Sequence, residues 1–178
     1  MTGLPANLEL TDGVIRLRPW STDVVDDLTR IWQDRELQQR FDVEAPVTRE
    51  AVSAYVDGVR ARWRDDVQIS LAIVAGRALV GGCDLDHLDT DRPDLGYWLA
   101  PDARGQGYAT RAGALLLAWA EAQLGCSTVC LEVEADNAPS IAVAERLGFV
   151  RAHGVERTVD DRTVDDRRLR VFQLSISR

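Results

Sequence analysis

The stretch that most constrains this chain is Arg104-Gly105-Gln106-Gly107-Tyr108-Ala109, two glycines set between a strand-like run and a helix-like run. Before it, Asp94-Leu95-Gly96-Tyr97-Trp98-Leu99-Ala100 is apolar and aromatic and stops at Pro101. After it, Thr110 through Leu124 carries an apolar helical pattern that ends at Gly125. A strand therefore feeds a helix through a turn almost free of side-chain bulk. The first N–H groups of a helix lack backbone partners, and the helix dipole places roughly +0.5 charge at that end. Gly105 and Gly107 remove the Cβ atoms that would hold an anion away. The expected ligand carries phosphate.

Two common phosphate loops are excluded. A P-loop needs Gly-Lys-Ser/Thr, and the chain contains no lysine. A dinucleotide fingerprint needs a third glycine where Thr110 stands. The string that fits is Arg/Gln-x-x-Gly-x-Gly/Ala, here Arg104 to Ala109. It resembles the pyrophosphate loop of the GNAT superfamily of acyl-CoA-dependent N-acyltransferases. Two further motifs follow in order, Asn137-Ala138-Pro139-Ser140 and Leu147-Gly148-Phe149. They resemble the family's Asn-x-x-Ser/Ala element and its Leu-Gly-Phe. The strand Asp94-Leu95-Gly96-Tyr97 resembles the acidic-x-Gly-Tyr strand of the branch that acetylates ribosomal-protein N-termini and has antibiotic- and polyamine-acetylating relatives. The resemblance is close over residues 94–150 and looser on either side.

The resemblance implies an α/β fold. Its parts are a single mixed, mostly antiparallel twisted sheet of six to seven strands, about four flanking helices, and a splay at the central motif strand. One domain over 1–178 suits the length. No apolar run approaches the ~18 residues of a membrane span. Met1 to Leu10 lacks the basic and apolar regions of a secretory signal, so a cytoplasmic location is expected. Cys83, Cys126 and Cys130 have no metal spacing and read as core thiols of a reducing compartment, and no metal is expected. The net charge of −8 argues against nucleic acid as a partner and favours a cationic one.

Periodicity gives the remaining elements. Val14 to Arg18 reads as a strand ended by Pro19. Ser21 or Thr22 caps a helix to about Gln33, with Asp34 to Ala45 mixed and partly helical. Thr48 starts a helix through about Arg64, with Val52, Tyr55, Val56, Val59 and Trp63 inward. Gln68–Val74 and Ala78–Leu85 read as strands around the turn Ala75-Gly76-Arg77. Thr128–Glu134 is a strand, Asn137 caps a short helix, and Gly148 fits its C′ position. Phe149–Thr158 and Arg168–Ile176 read as a closing antiparallel pair. Between them lies a duplication, Arg157–Asp161 then Arg162–Asp166, read as a lengthened turn.

The resemblance implies transfer of an acetyl group from acetyl-CoA to a primary amine. The acceptor would be a small cationic molecule, an antibiotic amino group or a peptide N-terminus. Succinyl-CoA as donor, or a non-catalytic acyl-CoA-binding domain, are the alternatives. The motif strand would offer unpaired N–H groups, those of Trp98, Leu99 and Ala100, to the acyl-CoA chain. The pyrophosphate would sit on Arg104, Gly105, Gln106, Gly107, Tyr108, Ala109 and Thr110, and Asn137 would contact the pantetheine. Many members place an acidic tyrosine where this chain has Ala144; the ribosomal branch uses the serine that maps to Ser140. Asp94 and Asp84 are base candidates, Asp86 shares a sheet face with Asp84, and His87 and His153 are weaker ones. These aspartates could instead bind a cationic acceptor. Members of the branch are often dimers, so a homodimer is an expectation too.

Overall fold

Alternating apolar runs bounded by turn residues build one sheet, and helical runs cover its two faces. In chain order the elements are β1 Leu10–Thr11, β2 Arg16–Pro19, α1 Val25–Ile31, α2 Arg35–Phe41, α3 Arg49–Arg64, β3 Ile69–Ala75, β4 Ala78–Asp86, β5 Asp94–Leu99, α4 Tyr108–Gln123, β6 Thr128–Glu134, α5 Ala138–Arg146, β7 Val150–Arg151 and β8 Leu169–Ser175. Short 3-10 turns at Thr22–Val24 and Pro101–Ala103 precede α1 and follow β5. This computed structural model describes residues 4, 5, 7–41, 43, 45–90, 92–125, 127–152 and 169–175. The duplication at 157–166, His153 and Cys126 lie outside the described residues.

The sheet order is β1-β2-β3-β4-β5-β6-β8-β7. Every neighbouring pair is antiparallel except β5 and β6. β5 pairs with β4 along its whole length, from Asp94 opposite Asp86 to Leu99 opposite Gly81. Its register with β6 is a single pair, Asp94 and Cys130, beside a 2.9 Å bond from the Cys130 N–H to the Pro93 carbonyl. Past Asp94 the two strands part. The expected splay at the motif strand is therefore present.

Side-chain parity along β5 assigns the faces. Trp98 stacks on Trp20, which meets Tyr55 of α3 edge-on. Leu95, of opposite parity, lies under Gly113 of α4, where Leu147 at the end of α5 also packs. Thus α3 and the tryptophans cover one face, and α4 with α5 covers the other. Leu116 of α4 and Val52 and Val56 of α3 are fully buried. Truncating one such leucine costs about 2–5 kcal/mol.

Local signals placed most boundaries. Thr48 accepts from the Ala51 N–H at 3.1 Å and starts α3 as expected. Asn137 does the same for α5, and Gly148 sits at φ 86° behind it. Ser21 does not cap; its hydroxyl contacts Arg18 and Asp23 instead, and a 3-10 turn delays α1 to Val25. Among the described residues the sheet has eight strands rather than six or seven, because β1 is two residues long and too short to leave an alternating pattern; β7 is the described part of the strand expected over 149–158. The mixed, partly helical segment after Gln33 contains α2, which makes five α-helices among the described residues.

Candidate active site

The glycine turn forms the mouth of the splay. Gly105 and Gly107 sit at φ 74° and 78°, a left-handed conformation that side chains resist. A Cβ built on either would meet nothing within 4 Å, so the backbone is open to a ligand. Gly107 is the N-cap of α4 and supplies no side-chain cap. The Arg111 N–H bonds back to the Gly107 carbonyl at 3.1 Å, which leaves the N–H groups of Gly107, Tyr108, Ala109 and Thr110 without helical partners. Gln106 braces the turn, donating to the Asp102 carbonyl at 3.3 Å and accepting from the Tyr108 hydroxyl at 3.0 Å. Diphosphate chemistry fits this donor set. The Arg104 side chain instead pairs with Glu36 of α2 at 2.7 Å.

The strand edge differs in one respect from expectation. The Ala100 N–H donates to the Val80 carbonyl at 2.9 Å. Ala100 is therefore not one of the open donors. Antiparallel pairing alternates, so Trp98 and Gly96 also turn their N–H groups to β4, while Tyr97 and Leu99 turn theirs to the parted side. Of the three expected residues, Leu99 is the one whose N–H faces the parted side. Ala100 and Trp98 contribute elsewhere: Trp98 is a buried wall residue, 7% exposed. Bond parity, which decides this, is invisible until the partner strand is known.

On the α3 face stands an acidic recess. Asp84 opposes Gly96, and Asp86 opposes Asp94. A Cβ on Gly96 would lie 2.6 Å from Asp84 Oδ2, so the missing side chain makes the room that this carboxylate occupies. Burial pushes the Asp84 carboxyl up to about 8; the charge of Asp86 and a hydrogen bond that the protonated Asp84 donates to it add to this, and Arg62 opposes it. The apolar floor is aromatic: Trp20, Trp32, Tyr55 and Trp98 pack together with ring centroids 4.7–6.3 Å apart. The Tyr55 phenol is pushed up by burial and then by the Asp84 charge. The shared face of Asp84 and Asp86 was legible in the sequence; the room left by Gly96 and the nearness of Tyr55 to Asp84 were not. His87 Nε2 lies 3.9 Å from Asp94 Oδ2 and is mostly exposed.

Ser140 lies on the opposite face, in the first turn of α5. Its N–H is taken by Asn137 Oδ1 at 3.1 Å, so Asn137 serves as the cap and the Ser140 hydroxyl is not needed for it. The Tyr97 hydroxyl is 3.5 Å from the Ser140 carbonyl, which ties α5 to the motif strand. Ala144 is fully buried in the core, and no phenol could stand there without displacing its neighbours. The structure sets Asp84 beside Gly96 on one face of the motif strand and Ser140 near Tyr97 on the other. Arg18 is paired with Asp23 at 2.6 Å. Cys83 and Cys130 are buried, and burial raises the Cys83 thiol well above its ordinary value. Among the described residues, no three His, Cys, Asp or Glu side chains are placed to hold a metal, and no helix is long and apolar enough to cross a membrane.

A mixed sheet parted at one strand, with an anion loop at the head of the next helix, defines a class of acyl-CoA-handling folds. The profile of the Acetyltransferase (GNAT) domain matches residues 15–150, and the chain belongs to that family. YdaF of Bacillus subtilis (strain 168), provisionally named a ribosomal N-acetyltransferase, is 30% identical over 93 residues, 51% of each chain. The chain thus matches about half the length of that curated relative. Two solved structures share the fold. RimL, a ribosomal L7/L12 alpha-N-protein acetyltransferase in complex with coenzyme A, has a TM-score of 0.83 at 18% identity, covering 95% of this chain and 98% of that one. Mycobacterium smegmatis RimJ in complex with CoA-disulfide has a TM-score of 0.76 at 21% identity, covering 95% and 86%.

Proposed function

We propose that the chain is an N-acetyltransferase that moves the acetyl group of acetyl-CoA directly to a primary amine within a ternary complex. The observation that carries this is the gap beyond Asp94, flanked by the glycine loop, the outward N–H group of Leu99, and the raised carboxyl of Asp84.

Each part has a task. The N–H groups from Arg104 to Thr110 receive the pyrophosphate, with Arg104 leaving Glu36 to join them. The pantetheine lies along the open edge of β5 beside the Asn137 amide. The Leu99 N–H donates to the thioester oxygen, a contact worth about 3 kcal/mol in the transition state. The amine nitrogen bonds the thioester carbon and gives up its proton to Asp84, directly or through water, with Asp94 the other base candidate. The C–S bond breaks as the Ser140 hydroxyl donates to the departing sulfur. A carboxylate with an ordinary pKa is a weak base at neutral pH; burial brings Asp84 into the useful range. Holding amine and thioester together supplies much of the remaining rate.

The amine of a ribosomal-protein N-terminus, the acceptor for which RimL is named, falls within this class of acceptors. A cytoplasmic setting and a homodimeric assembly belong to the proposal through the resemblance alone. The test is thiol release from acetyl-CoA across N-terminal peptides, aminoglycosides, peptide antibiotics and polyamines. Release that depends on an amine supports the reading. Tight CoA binding by calorimetry with no release for any amine points to a binding domain instead.

A further inference from the structure

The acidic recess continues past Asp84, away from the gap. Two rows of side chains cross the α3 face of the sheet. The first is Ser70, Asp84 and Gly96, set by the registers of β3, β4 and β5. The second holds Asp86 and Asp94, and the β3 register continued by one residue places Gln68 beside Asp86. Gln68 is only 5% exposed, and its Oε1 has no hydrogen-bond partner among the described residues. A buried amide oxygen left without a donor costs about 1–3 kcal/mol. Its neighbours in the row are carboxylates, which accept and do not donate when ionised. Asp86 and Asp94 remain partly exposed, so the row is open to a ligand. The row thus asks for a group that brings several N–H donors and a positive charge.

Resting on the N-acetyltransferase reading, we infer that Gln68, Asp86 and Asp94 form a subsite for a second ammonium of the acceptor, and that the acceptor is a linear aliphatic dication. One ammonium meets Asp84 at the gap and loses its proton there. The other sits one row on. Two residues along a strand span ~7 Å, which about four to five methylene groups bridge. The Asp84 carboxyl, its pKa raised by burial, donates a hydrogen bond to Asp86 when protonated. A dication replaces that proton with a donor for each carboxylate. Two cations of the chain compete: Arg62 of α3, whose charge reaches Asp84, and His87, 3.9 Å from Asp94. Arg62 is exposed and free to swing outward.

Calorimetry on the CoA-bound protein, with putrescine against n-butylamine, tests this without requiring turnover. The diamine should bind at least tenfold more tightly. Asp86→Asn and, separately, Gln68→Met should each erase most of that preference, with CoA affinity unchanged as the control for folding. Equal affinity for the two amines overturns the inference, as does a preference that both variants retain. Acetylation of peptide amines without a diamine preference sinks the subsite and leaves the enzyme reading standing. Absence of thiol release with every amine sinks the enzyme reading itself.

Discussion

Gly96 has no side chain, and the Asp84 carboxylate takes up the space beside it. Gly96→Ala should therefore push that carboxylate aside and lower kcat/KM by about 100-fold, the scale of a misplaced general base, while acetyl-CoA still binds. Steady-state kinetics would show it, and an unchanged rate would separate Asp84 from the chemistry. The raised carboxyl also sets a pH profile. kcat/KM should climb as the pH rises toward about 8 and level off above it, and Asp84→Asn should remove that limb. Stability runs the other way. The folded state keeps the Asp84 proton up to about 8, whereas the unfolded chain releases it near 3.8. Across that window the folded state binds more protons, so stability falls as pH rises. Asp84→Asn should melt at a higher temperature than the parent at alkaline pH, with the difference vanishing near pH 4; the opposite order in a thermal melt would contradict the buried-acid account. Ser140→Ala should lower kcat by at least tenfold with little change in the KM for acetyl-CoA, because the hydroxyl is freed from capping by Asn137.

At the scale of elements, the head of α4 is the part most tightly specified by its residues. Gly107 holds φ 78° at the N-cap, and an alanine there would cost about 1–2 kcal/mol or turn the first N–H groups aside. Gly107→Ala should weaken CoA binding about tenfold in a calorimetric titration. Glu36 holds Arg104 at 2.7 Å, so Glu36→Gln should release the guanidinium and tighten CoA binding severalfold. An unchanged affinity would remove Arg104 from the phosphate site. The loop was legible in the sequence because glycine spacing before a helix has few other uses. The caps Thr48 and Asn137 were legible for a similar reason, since each oxygen serves a donor three residues on. β1 was not, because two residues carry no period, while β7 lies inside the strand expected over 149–158. Ser21 misled because Arg18 and Asp23 compete for its hydroxyl.

Across the whole molecule, function depends on a sheet that is continuous on one side of β5 and parted on the other. Motifs in the chain announced the parting through family resemblance, but not which N–H groups it frees. That choice follows from the bond between Ala100 and Val80, 20 residues apart in sequence, and a single chain read in order does not display pairing parity. The placement of Asp84 and Ser140 on opposite faces is likewise a product of topology: β4 parity sets one, and the crossover through α4 and β6 sets the other. The account's central claim is direct transfer across this gap. The measurement that tests it is rapid mixing of the protein with acetyl-CoA, with and without an amine acceptor, following free thiol from the first turnover. Thiol should appear only when the amine is present, with no burst in its absence. A burst without amine, matching the protein concentration, would mean that the acetyl group passes first to the protein and would contradict direct transfer.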